Sequence, residues 1–200
     1  SGQIGYTEIP NYPNEGPAIF SANGYRTHAV GKNHFYPMQN KHGYQTVELE
    51  EGWYTTFKNH EKCDYTQWFE KTAPGKDINA TGLNYNDLRG GRYFPFEDSL
   101  HPTYWTAERA VNFLQSYNGD APWMLKVSFQ RPHPPFDPPK RWLDTYNKSA
   151  IPLPAIGPWA EAKYGNAKGS LEKLNNASSG AFEEEEIETS RQSYYAALSF

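Results

Sequence analysis

The chain holds a single cysteine in 200 residues. Cys63 therefore has no internal disulfide partner, and neither a C-x-x-C pair nor a zinc-ligand spacing can be built. Basic clusters are as scarce. None is longer than Lys140-Arg141 and the formal net charge is −4, so no cationic stripe could track phosphates and a nucleic-acid partner is excluded. No stretch approaches the ~20 apolar residues of a membrane-spanning helix. The opening SGQIGYTEIP lacks the basic, apolar, small-residue order of a secretory leader. The first residue is not Met and the final RQSYYAALSF reads as a helix without cap or stop signal, so both ends look cut and a larger protein is expected.

What the chain does have is aromatic surface. Mean hydropathy is low at −0.86, yet 16% of residues are aromatic, with Tyr 15 and Trp 6. Disordered chains are poor in aromatics, so the low hydropathy reflects Tyr, Asn and Gly in an ordered domain. Two hundred residues suffice for one domain and one core.

Residues 13–23 read as a short helix closed by Gly24, which supplies a left-handed C-terminal conformation. Arg26 to Val30 read as a strand, and 40–53 as holding another, because Val47 and Leu49 alternate with polar neighbours. Residues 54–100 show no clean period and read as a loop-rich aromatic insertion, ordered by its rings. Pro102 to Asn118 is the strongest helix. Tyr104, Ala107, Val111 and Leu114, with Ala110, Phe113 and Tyr117 beside them, form its expected apolar face. WMLKVSF, Trp123 to Phe129, reads as a buried strand, and strand–helix–strand order predicts a parallel α/β sheet. Residues 130–159 are proline-rich and expected to be extended. Residues 160–181 form a polar excursion, and Glu183 to Glu186 front a solvated helix.

Two stretches can carry chemistry. Lys32 and His34 follow the strand end at Gly31, and side chains two apart share a face in extended chain. At the carboxyl end of a parallel strand, where ligand sites gather, an ammonium beside an imidazole suits an anionic substrate. The plain alternative is a surface lysine and a loop histidine. SFQRPHPPFDPP, Ser128 to Pro139, also follows a strand, and Pro132 and Pro134 fix the backbone around His133. Its alternative is a structural crossover with a packing histidine. Arg131 and Asp137 flank His133 and could orient it.

Taken together, the two are far more specific. Gly24, Tyr25, Thr27, Gly31, Lys32 and His34 resemble the Gly-Tyr-x-Thr-x-x-x-Gly-Lys-x-His signature of the sulfatase family. Ser128, Phe129, Pro132, His133, Pro135 and Phe136 resemble that family's later histidine motif. The resemblance covers nearly the whole chain, most weakly in 54–100 and 160–181. It implies an alkaline-phosphatase-like α/β sandwich, with residues 1–200 part of the N-terminal catalytic domain, truncated at both ends. It implies a sulfuric ester hydrolase whose nucleophile is a formylglycine made from Cys or Ser by a formylglycine-generating enzyme, with calcium or magnesium bound nearby. It implies that Lys32 and His133 bind substrate. Lys32 would hold sulfate oxygens, His34 would contact the formylglycine hydroxyl, and His133 would protonate or neutralise the leaving oxygen.

The departures are as informative. No Cys/Ser-x-Pro-x-Arg occurs, and the family's early Asp pair and downstream Asp-Asn region are absent, so no metal ligand is expected within this chain. The isolated chain is expected to be inactive. Two other readings stay open: a phosphonate monoester or phosphodiester hydrolase of the same superfamily, and a non-catalytic carbohydrate-binding relative. In the latter, Tyr54, Phe57, Tyr65, Trp68, Phe69, Tyr85, Tyr93, Phe94 and Phe96 could stack on sugars, the alternative being that they pack in the core. The implied substrate is a sulfated small molecule or glycan. Glycosylation patterns at Asn79, Asn147 and Asn176, with the resemblance, point to a secreted, periplasmic or lysosomal parent.

Overall fold

The computed structural model describes residues 12–52, 62–83, 88–146, 150–155, 157–159 and 182–200. Tyr54, Phe57, Tyr85, the whole of the 160–181 excursion and the acceptor sites at Asn147 and Asn176 fall outside them. The chain divides into two compact units, Ser1–Ile78 with Ser99–Gln130, and Asn79–Asp98 with Arg131–Phe200.

The first unit is built on three parallel strands, β1 (Arg26–Gly31), β2 (Thr46–Leu49) and β3 (Trp123–Ser128), in the order β2-β1-β3. The expected parallel α/β sheet is therefore present. Helix α1 (Gly16–Ala22) leads into β1 through Asn23, whose side-chain amide donates to the Ile19 carbonyl, and Gly24 at φ +85°. Central β1 is buried from Thr27 to Gly31. Thr27 explains its place in the signature. Its hydroxyl bonds Ser21 of α1 at 2.8 Å and accepts the Gln45 amide at 3.0 Å, tying helix and strands together. The Tyr25 ring packs edge-on against Phe20 at 5.1 Å.

In the first unit, three sequence expectations need correction. Within 54–100 lies a helix, α2 (Asp64–Thr72), which buries Tyr65, Thr66 and Phe69. Two turns with one narrow apolar stripe are too short to show a period. Helix α3 (Pro102–Ser116), capped by the His101 imidazole accepting the Thr103 amide, buries Pro102, Trp105, Thr106 and Ala110. Tyr104, Val111 and Leu114 of the expected face are exposed. The winning face carries Trp105, which meets Tyr65 at 5.7 Å between ring centroids, and Thr106, small enough to lie against Gly31. Burying a large side chain such as Trp105 contributes about 1.5–3 kcal/mol. Strand β3 is only half-buried, with Trp123 and Val127 exposed, as is Phe129 just past its end, because it stands at the edge of the described sheet.

In the second unit, α4 (Lys140–Thr145) interrupts the proline-rich stretch expected to be extended. Helix α5 (Glu184–Ser199) starts in the acidic run as expected, with a capping box between Glu183 and Glu186. The Gln192 amide donates to the Leu143 and Tyr146 carbonyls at 3.2 and 2.6 Å, satisfying the orphan end of α4. Gly91 donates to the Ser193 hydroxyl at 2.8 Å.

Candidate active site

Glycine at position 31 is a steric requirement. It has φ +92°, and a Cβ placed there would lie 2.0 Å from the Ser128 carbonyl oxygen. Strands β1 and β3 close on each other at this point, and the Lys32 amide donates to that same oxygen at 2.8 Å. Any side chain would push the strands apart just where the chain turns out of the sheet. This is why a buried strand ends in Gly before Lys32.

The turn that follows is gripped from both neighbouring strands. Beyond β2, the buried Glu51 carboxylate accepts the Asn33 amide at 2.7 Å and the His34 amide at 2.9 Å on one oxygen, and the His34 amide at 3.1 Å on the other. Successive amides converging on an anion form a nest, which needs a left-handed residue; His34 supplies it at φ +56°. Left-handed backbone costs roughly 1–2 kcal/mol in a residue with a Cβ. A hydrogen bond to a charged group returns about 1.5–3 kcal/mol, so two are enough to hold the turn. From β3, the Lys126 ammonium donates to the Asn33 side-chain oxygen at 2.6 Å and to the Lys32 carbonyl at 3.3 Å.

The electrostatics follow from this packing. Burial raises the Glu51 pKa, against the opposing pull of the Asn33 and His34 amides and the Lys32 and Lys126 ammonium groups. Burial lowers Lys126, which Glu51 partly offsets. Partial burial, and then the charge of Lys32, hold His34 below its ordinary value of 6.5. At neutral pH His34 is mainly the neutral imidazole, able to accept a proton beside a cation. Next to this turn, the Gln130 side chain is 5% exposed against Gly52, and neither amide atom makes a hydrogen bond among the described residues.

His133 belongs to the second unit, five residues past the end of β3 in sequence. Its Nδ1 lies 2.8 Å from the Pro134 carbonyl oxygen. A carbonyl only accepts, so Nδ1 carries a proton and the neutral ring has its lone pair on Nε2. The loop is stapled by a two-pronged ion pair, Arg131 Nε to Asp137 Oδ1 at 2.7 Å and Nη2 to Oδ2 at 3.0 Å, with both side chains 2% exposed. Phe136 anchors it further, edge-on to Tyr194 at 5.6 Å. Arg131 and Asp137 thus hold each other and fix the loop that bears His133.

Lys32 lies close enough to His34 for its charge to act on the ring, although the backbone at His34 is left-handed rather than extended as the sequence reading assumed. Glu51 and Lys126 were not among the sequence candidates, although each leaves a trace: Lys126 is the one charge inside an apolar strand, and Glu51 ends an acidic pair at a strand terminus. Cys63 does not serve as a nucleophile. It is buried at the start of α2, and burial raises its thiol pKa more than the Thr66 hydroxyl at 3.3 Å lowers it. Among the described residues no three His, Cys, Asp or Glu side chains are grouped to hold a metal ion, so these residues do not fit the calcium or magnesium that the resemblance implies. Nor does any helix among them have the length and apolarity to cross a membrane.

The three parallel strands with their helices form an α/β scaffold that places Lys32 and His34 just past the end of β1. The solved phosphonate monoester hydrolase of Agrobacterium radiobacter has a similar fold, with a TM-score of 0.61 over 91% of this chain and 40% of that one, at 18% identity. The chain belongs to the sulfatase family, whose model matches residues 1–200. It is similar to an arylsulfatase of Clostridium perfringens, 32% identical over 209 residues, covering 98% of this chain and 43% of that protein. A sulfatase of Formosa agariphila is 32% identical over 94 residues, 40% of this chain and 18% of that protein. The chain thus spans less than half the length of both relatives.

Proposed function

We propose that these 200 residues are part of an enzyme that hydrolyses sulfate esters of a small molecule or a glycan. The observation that carries this reading is the Lys32–His34 turn, fixed past the carboxyl ends of parallel strands in a chain of the sulfatase family. Lys32 holds the non-bridging oxygens of the ester, where charge builds in the transition state and a fixed cation stabilises it. His34, neutral near pH 7, accepts and returns a proton at the reacting oxygen. His133, its Nδ1 proton held by the Pro134 carbonyl, acts through Nε2 on the leaving oxygen.

The formylglycine nucleophile and the divalent cation of the family have no matching residues in this chain, so its own share of the reaction is electrostatic and proton-handling. A formylglycine-generating enzyme is the partner that the full protein would need, and a secreted, periplasmic or lysosomal setting fits the family reading. The test is to assay the full-length protein on matched aryl sulfate and phenylphosphonate monoesters. Turnover of the sulfate at least tenfold faster is expected. The reverse order would assign phosphonate ester hydrolysis instead.

A further inference from the structure

We propose that Glu51 is a positioning residue, a built-in anion that occupies the amide nest of Asn33 and His34 and so aims Lys32 and His34 at the substrate. The inference rests on the sulfatase reading of Lys32 and His34. It is carried by geometry that reading does not require. Both Glu51 oxygens accept backbone amides of the turn, at 2.7, 2.9 and 3.1 Å. The carboxylate is buried at 7% residue exposure, and the residue whose amide it accepts twice, His34, has the left-handed φ that a nest needs.

The charges around Glu51 fit a clamp. Lys32 and Lys126 face it from the turn and from β3, and Cys63 of the α2 start lies against its backbone. Lys126 holds the same turn from its other side, through the Lys32 carbonyl and the Asn33 side chain. With the anion gone, the nest loses its occupant, His34 loses the contact that pays for its left-handed backbone, and both functional side chains swing with it. Misplacing a catalytic group by about 1 Å costs on the order of a hundredfold in rate. Glu51 itself touches no reacting atom in this scheme and acts through the turn.

Two measurements test it. In the wild-type protein, the amide protons of Asn33 and His34 should titrate together, with one midpoint above the ordinary glutamate value of 4.5, and the titration should vanish in Glu51→Gln. This readout is independent of activity and needs no variant for its first half. In the full-length enzyme, Glu51→Gln should lower kcat roughly ten- to a hundredfold with KM changed less than about threefold, because the loss falls on transition-state contacts. Glu51→Asp, which keeps the charge, should recover part of that loss. Amides that fail to titrate together, or kcat within twofold of wild type in Glu51→Gln, would overturn the inference. If the full-length protein prefers a phosphonate ester, the sulfatase reading fails by itself, and the same kcat comparison on that ester still decides the role of Glu51.

Discussion

The two histidine-bearing loops of this chain, Lys32–His34 and the loop of His133, are held in different ways. The Lys32–His34 turn is gripped from outside. Its amides are taken by Glu51, 17 and 18 residues away, and its carbonyl by Lys126, 94 residues away. The His133 loop is held by an ion pair between Arg131 and Asp137 that spans six residues, and by Phe136 against Tyr194 of α5. The first arrangement exists only once the three strands are in register. The second has its ion pair within seven consecutive residues. The physical balance differs as well. At Glu51, burial outweighs the amides and the two lysines, so its pKa is raised and ionising it costs stability. The Arg131–Asp137 pair has the two-pronged geometry that makes such bonds strong.

The largest effect on stability is expected from breaking the Arg131–Asp137 pair of the His133 loop. Asp137→Ala leaves a buried guanidinium without its anion and should cost about 3–5 kcal/mol in denaturant unfolding. Replacing both partners, Arg131→Met with Asp137→Leu, should recover most of it, since an apolar pair of similar volume removes the stranded charge. A double variant as unstable as the single one would mean that the loop needs the ion pair for its shape.

A smaller effect, and of distinct sign, is expected at the other loop. Glu51 has a raised pKa in the folded chain, so its contribution to stability is fully present below the ordinary value of 4.5. As pH climbs from there through the raised value, the unfolded chain ionises first and that contribution is lost. The stability of wild type relative to Glu51→Gln should therefore fall with rising pH across this window. Unfolding curves that show it rising would mean that the amides and lysines outweigh burial.

The same contrast explains what could be read in advance. The parallel sheet follows from strand–helix–strand order and was legible, while Gly31, Lys32, His34 and His133 sit in short local patterns that make them candidates. The clamp was not legible. Which carboxylate meets the Asn33 and His34 amides depends on β2 pairing Gly31 with Leu49, and which lysine crosses beneath depends on β3 pairing Ala29 with Lys126. A one-residue slip would turn those side chains to the other face. The buried side of α3 was hidden for a related reason. Its sequence carries two apolar stripes, and the choice between them is made by Gly31, which admits Thr106, and by the ring of Tyr65, which meets Trp105.

The most direct test of the account is the turnover of an aryl sulfate at saturation by the full-length protein carrying Lys32→Ala. Loss of one preorganised electrostatic contact in the transition state predicts a rate lower by about a hundredfold or more. A near-normal rate in a folded variant would take Lys32, and with it the Gly-Lys-x-His turn, out of the active site.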